Sequence, residues 1–398
     1  MTPTELADLS RVLYSPVTLS LYLAAAFVYL YALTTTVGRR EERERGMRAR
    51  KVGLVLAVAG IGTHIAHEIV RGLAQERLPL GNMFEVTSLM ALVGVLTGFI
   101  YMQVIRKRPE LNGFVLLGGA LVLASALLMY SEPGPLMPIL DTWWRTFHVS
   151  LLVAAMGIFA AGFVFNSLYL LRDTGELAVA RERERQLEGS TVGAASAGDL
   201  DVADETSGIG GRTIDRLDAT VDDGRDHDAE YRAALRAGVS VPRLVIGTFL
   251  GTSLVSWVFV YSAATLAEGL TRFLTINLVM VAAALIARWF VPLLPPTATL
   301  DGIAHRTIAF AFVMWTVGTI AGAMWAEQSW GRFWGWDPKE TGAFLTWVAY
   351  AGYLHARATK GVKGRGAAWI GVWSFVVLMG TYLIANYVIV GLHSYAGL

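Results

Sequence analysis

The chain has 398 residues with a formal charge of +1, 54% hydrophobic and 16% charged residues, and no cysteine. Apolar residues gathered into runs of roughly 20 exclude an ordinary water-soluble domain. The balanced charge gives no basic field for phosphates and excludes a nucleic-acid partner. Without cysteine there is no disulfide, zinc thiolate or thiol nucleophile.

Apolar runs near 16–36, 52–70, 84–105, 112–130, 148–171, 243–263, 273–294, 307–325, 341–357 and 367–390 predict an all-α polytopic membrane bundle of about ten transmembrane helices. Met1 to Ser15 has no basic n-region and the first run is too long for a signal-peptide core, so no cleaved leader is expected. Lys and Arg collect at 39–51, 106–108, 172–185 and 357–365, which ten crossings put on one side. That side is expected to be cytoplasmic, with both termini outside. The polar stretch 173–242 divides helical regions 1–172 and 243–398. Its composition predicts a mostly disordered cytoplasmic loop in which Arg181 to Arg185 can extend a helix and His227 is a bystander.

Among the motifs, His64, His67 and Glu68 come first, on one face of the second helix. They read either as an iron ligand with a supporting carboxylate or as a polar seam between helices. In Leu78-Pro-Leu-Gly-Asn-Met-Phe-Glu85, Asn82 and Glu85 form a helix start. His148 follows Asp141-Thr-Trp-Trp-Arg145 at the outer mouth of the fifth helix. His305 stands at a helix start and caps or is solvated there.

Residues 325–340 hold the densest signal. Trp325, Trp330, Trp334 and Trp336 crowd, with Phe333, between two apolar runs. Asp337, Pro338 and Glu340 compose a capping box that starts the ninth helix beneath the indoles. Arg332 and Lys339 supply cations suited to carboxylates such as heme propionates. A plain interfacial aromatic belt also concentrates Trp, but clustering in one segment favours a surface for a large planar ligand. His355 lies near the inner end of the ninth helix and His393 just past the tenth, in Gly391-Leu-His-Ser-Tyr395. On this topology His148, His393 and the Trp segment share the outer face, where two imidazoles could ligate iron axially.

The run Gly322 to Thr341 resembles the tryptophan-rich WWD signature of heme-handling proteins in cytochrome c maturation. Residues 78–85, His355 and Gly391-Leu-His-Ser-Tyr395 resemble the CcsA (ResC) branch of system II. The resemblance implies heme b handling and a place in a cytochrome c synthase (heme lyase) complex. It implies a CcsB/ResB-like membrane partner, an apocytochrome c bearing Cys-x-x-Cys-His, and a thiol-reducing thioredoxin-like protein. It further implies that His148 and His393 ligate an outer heme within the WWD segment, and that His355 ligates an inner one. The expected location is the plasma membrane with the working face extracytoplasmic. The alternatives are a heme-b electron-transfer subunit and a transporter without heme.

Overall fold

Thr2 opens the first helix by a reciprocal cap. Its hydroxyl accepts from the Glu5 N–H, and the Glu5 carboxylate accepts from the Thr2 N–H. In the computed structural model this helix, α1, runs Pro3–Thr34. It passes Pro16, which lacks an N–H, as a π-helical turn at Leu13–Thr18.

The structure describes residues 1–37, 40–134, 142–196, 224–389 and 391, and every regular element among them is helical. After α1 come α2 (Arg40–Ala74), α3 (Met83–Ile105), α4 (Pro109–Met129), α5 (Trp143–Ser196), α6 (Gly224–Ala237) and α7 (Val241–Ser256). These are followed by α8 (Leu266–Trp289), α9 (Thr297–Trp330), α10 (Pro338–Thr359) and α11 (Arg365–Tyr387). Among the described residues eight helices are long and apolar enough to cross a membrane, or nine if bent α6 and α7 form one span. Helices cover all ten predicted runs. α10 is long enough but less apolar, because Lys339, Glu340, His355 and Arg357 occupy its two ends. α8 begins seven residues before the predicted run at 273, because Thr265 caps it and Glu268 pairs with Arg272 one turn in.

The polar stretch 173–242 departs from the expected disordered loop at both of its ends. α5 continues through it to Ser196, supported by Arg172–Glu176 at 2.7 Å and Arg185–Glu182 at 3.7 Å, and α6 and the start of α7 occupy its far end. The intervening 197–223 lie outside the described residues, as does His393.

α1 to α4 pack around Tyr22, Tyr29, Phe84 and Leu116. α5 is the central post, packed on α3, α9 and α11. There Phe159 stacks on Tyr350 with centroids 3.6 Å apart and planes 10° from parallel. Truncating so buried a phenylalanine costs about 3–5 kcal/mol. The pair α7 and α8 lies at the edge of the bundle, and only 6% of the most apolar stretch of α8 is fully buried. The Arg- and Lys-rich segments do gather at one end, tied by Arg50–Glu110, Arg357–Asp301 and Arg365–Asp173.

Candidate functional site

At the other end, α9 runs on to Trp330 and stops where Gly331 turns left-handed at φ 67. Trp325 and Trp330 are therefore helical, and only 331–337 form the loop. No residue before Gly331 breaks the helix, which is why it absorbs the first half of the Trp segment. Asp337 caps α10 as predicted, accepting from the Lys339 N–H at 3.2 Å. Glu340 Oε2 accepts from Gly335 N–H at 2.7 Å and Asp337 N–H at 3.1 Å, so its carboxylate ties down the loop.

The loop holds its aromatics in an unusual backbone. Trp336 has φ 58, a left-handed conformation that is an outlier for a bulky side chain, yet the residue is 64% exposed. Its indole packs edge-on against Trp334 at 5.8 Å and Phe344 at 5.9 Å. Trp325, 3% exposed, packs against Trp330 at 5.0 Å. The Arg332 guanidinium crosses Gly335 where a Cβ would stand, so a side chain there would push the guanidinium aside.

His148 is near the start of α5. Its Nδ1 lies 2.7 Å from the carbonyl oxygen of Gly318 on α9. A carbonyl only accepts, so Nδ1 carries the proton and Nε2 the lone pair. The ring stacks on Trp325 at 6.3 Å and 19° and packs against Gly322, where a Cβ would fall 2.5 Å from Cε1. Gly318 and Gly322 form a Gly-x-x-x-Gly pair that brings α9 close to α5. The spacing of this pair in an apolar helix is a signal already present in the sequence.

A cavity of about 210 Å³ opens here between α3, α5, α9, α10 and α11. Its walls are mostly apolar, with Leu152, Met156, Trp315 and Leu378 among them, and His148, Trp325, Phe333 and Trp334 also line it. Asn82, Arg145, Lys339, Glu340 and Asn386 add polar groups. Burial lowers the Lys339 ammonium to about 8, with the Asp337 carboxylate pulling the other way. Of the sequence-predicted residues, His148, Trp325, Trp334 and Lys339 meet at the cavity. Trp330 packs on Trp325, Trp336 on Trp334, Asp337 caps α10 and Arg332 crosses Gly335, so these four flank the cavity without lining it. Gly391, two residues before His393, packs against Asp337 and Pro338.

The wall formed by 77–82 depends on Glu85. Asn82 caps α3 as expected, accepting from the Glu85 N–H at 3.0 Å. The Glu85 carboxylate does more than a helix start requires. It accepts from Arg71 at 3.0 Å, Arg77 at 2.9 Å, Gly81 N–H at 2.8 Å and Asn82 Nδ2 at 3.0 Å. Arg145 donates to the Leu80 carbonyl at 3.1 Å from the α5 side.

His355 lies near the far end of α10, about 25 Å from Pro338 at ~1.5 Å per residue, and is exposed. Nearby, Arg357 forms a two-pronged pair with Asp301 at 2.6 and 2.8 Å, and the rings of His305 and Tyr353 lie 6.1 Å apart. His64 and His67 are buried among α1 to α4 and do not line the cavity.

Spanning helices around an apolar chamber, with an oriented imidazole, packed indoles and a cation at one end, define a multi-pass membrane protein built to receive a ligand. Residues 80–393 match the family described as cytochrome C assembly protein, and the chain belongs to that family. A cytochrome c biogenesis protein CcsA of Gloeobacter violaceus is 28% identical over 403 residues, covering 100% of this chain and 99% of the relative. Its namesake in Microcystis aeruginosa is 29% identical over 356 residues, covering 86% and 89%. A CcsA of Guillardia theta is 50% identical over 100 residues, covering 25% and 33%. The resemblance read from the WWD segment is thereby borne out, and the chain's role is in cytochrome c biogenesis.

Proposed function

We propose that the cavity end of the bundle holds heme b as cargo and presents it to an apocytochrome c. The observation that carries this reading is the His148 ring, fixed by Gly318 and Trp325 with the proton on Nδ1 and the lone pair on Nε2. An imidazole that donates Nδ1–H to a carbonyl is the usual arrangement of a metal-bound histidine. A cavity of 210 Å³ is below the ~300–1,000 Å³ of a typical small-ligand pocket. A porphyrin would therefore enter only in part, and its remainder would lie over the exposed Phe333 and Trp336. Lys339 and Arg332 suit the propionates, and His393 is the second axial ligand.

The chemistry at stake is addition of a Cys-x-x-Cys-His thiol across a heme vinyl group. This chain's residues contribute positioning: His148 and His393 fix the iron, the indoles fix the ring, and apolar walls exclude water. His355 takes an inner heme together with a CcsB/ResB-like partner, which its exposed position allows. A thioredoxin-like protein keeps the incoming thiols reduced, and the working face is extracytoplasmic at the plasma membrane.

The test is co-purification with the partner and absorbance spectra of oxidised and reduced samples. His148→Ala should lose the outer heme while His355→Ala keeps it. Heme content unchanged in His148→Ala would overturn the assignment.

A further inference from the structure

A buried polar chain among α1 to α4 has no part in that reading. His64 and His67 are 0% exposed and Glu68 7%, in a helix that crosses the membrane. Ionisable groups at that depth are costly and mark function or its partners. Tyr22 Oη lies 3.1 Å from His64 Nδ1, His64 Nε2 lies 3.1 Å from Ser88 Oγ, and Ser88 Oγ lies 2.5 Å from Glu68 Oε1. Three helices thus contribute to one line of four groups.

The direction of each bond follows from Glu68. When the carboxylate is ionised it only accepts, so Ser88 donates to it. Ser88 then accepts from His64 Nε2–H, and Nδ1 accepts from the Tyr22 hydroxyl. When Glu68 is protonated every bond can reverse. The carboxyl donates to Ser88, Ser88 donates to Nε2, and Nδ1–H points at the Tyr22 oxygen. A proton on Glu68 is thereby linked to the tautomer of His64.

A second observation extends the line. Nε2 of His67, Oε2 of Glu68 and NH1 of Arg71 are buried with no hydrogen-bond partner among the described residues. His67 Nδ1 lies 2.8 Å from the Ser10 carbonyl, so it carries the proton and Nε2 accepts. Two acceptors and one donor complement a single water, which has two hydrogens to give and a lone pair to offer. His67 and Arg71 pack on the same Phe84 ring, at 5.9 Å between rings and 4.6 Å from the guanidinium carbon.

We propose that His67, Glu68 and Arg71 bind one ordered water, and that this water and the Tyr22–His64–Ser88–Glu68 chain form a proton-exchange site. The titratable and charged groups facing it are Tyr14 and Tyr22 from α1, Arg71 on α2 and Glu85 from α3, which pairs with Arg71. Tyr130 lies beyond α4 with Arg71 5.8 Å from its ring and Arg11 at 5.0 Å. Glu85 is the carboxylate among them, and its hydrogen bonds go to Arg71, Arg77, Gly81 and Asn82 rather than to His64 or Ser88. On the same helix, α3, Met83 and Val86 line the cavity, with the cap residue Asn82 beside them, so the two sites share one wall.

The test uses the full chain in lipid nanodiscs with histidine labelled with ¹⁵N, reading the His64 tautomer by solid-state NMR through a pH titration. The wild-type chain should change from Nε2–H to Nδ1–H as the sample is acidified. Glu68→Gln should hold one form throughout, and Ser88→Ala should uncouple the imidazole in the same way if the first variant fails to fold. A single tautomer at every pH in the wild type, or a change that persists in both variants, would overturn the chain. A map resolving waters should show density bridging His67, Glu68 and Arg71, and an empty map there would overturn the water.

Discussion

Nδ1 of His148 stands 2.7 Å from the carbonyl oxygen of Gly318, and the same ring rests on Gly322 one turn further along α9. Both contacts depend on the missing side chain at 322. In Gly322→Ala the new Cβ would meet the ring at 2.5 Å from Cε1 and 2.6 Å from Nδ1, so the imidazole must move. Alanine gains ~0.5–1 kcal/mol in helix preference, but overpacking costs ~1–3 kcal/mol. The second effect wins, giving a net loss of about 1 kcal/mol and weaker hemin binding. Gly302→Ala on the same helix has nothing within 4 Å and should be neutral or slightly stabilising. Thermal melts and hemin titrations of the two variants check the contrast.

Trp336 separates stability from function. Its left-handed backbone costs ~1–2 kcal/mol, and its contacts with Trp334 and Phe344 return ~0.5–1.5 kcal/mol each. Trp336→Gly relieves the strain and removes the exposed indole, so the melting temperature should change little. Cytochrome c maturation by the complex should fall several-fold. A large drop in melting temperature with maturation intact would make the indole a structural strut.

Lys339 sets a pH dependence. Burial lowers its ammonium to about 8, so the fold disfavours the charged form, and a bound carboxylate reverses this by stabilising it. Ligand binding is then linked to proton uptake. The lysine's help to an anionic ligand is complete below about 8 and fades as pH rises from there towards the higher value set in the complex. Hemin affinity should fall over that window in the wild type, and Lys339→Arg should flatten the profile because arginine keeps its proton. Equal slopes in both proteins would remove Lys339 from the propionate role.

The helices over the ten apolar runs were legible because apolar runs and caps are local signals, whereas α6 lies in the polar stretch and was not. Asp337, Pro338 and Glu340 marked the start of α10 despite its charged ends. What escaped was contact between distant segments. Nothing around His148 names Gly318 as its partner, 170 residues away, and nothing at 78–85 shows that Glu85 meets Arg71 on the preceding helix. The continuation of α5 past 173 was legible only as a possible extension at Arg181 to Arg185, and its run to Ser196 was masked by composition. Its Arg and Glu residues resemble those of a solvated loop until they pair one turn apart along a helix. His64 and His67 were readable as a ligand or as a seam, and burial with Tyr22 and Ser88 favours the seam.

Glu85 joins the cavity wall to the N-terminal helices, and removing it should damage both. Arg71 and Glu85 are each 0% exposed at their side chains, and Arg77 is 13% exposed. Glu85→Ala leaves the Arg71 charge buried without its carboxylate, a change worth ~3–5 kcal/mol. It also frees the Gly81 N–H and loosens the segment that lines the cavity. Glu85→Gln keeps an acceptor and should cost less. Replacing both charges with apolar groups, as in Arg71→Met with Glu85→Leu, should recover part of the stability, because desolvation of the pair is removed with it. Arg77 reaches solvent and can leave without the same penalty. Melting curves of the single and double variants measure the coupling, and strict additivity would show that the two side chains do not act as a pair.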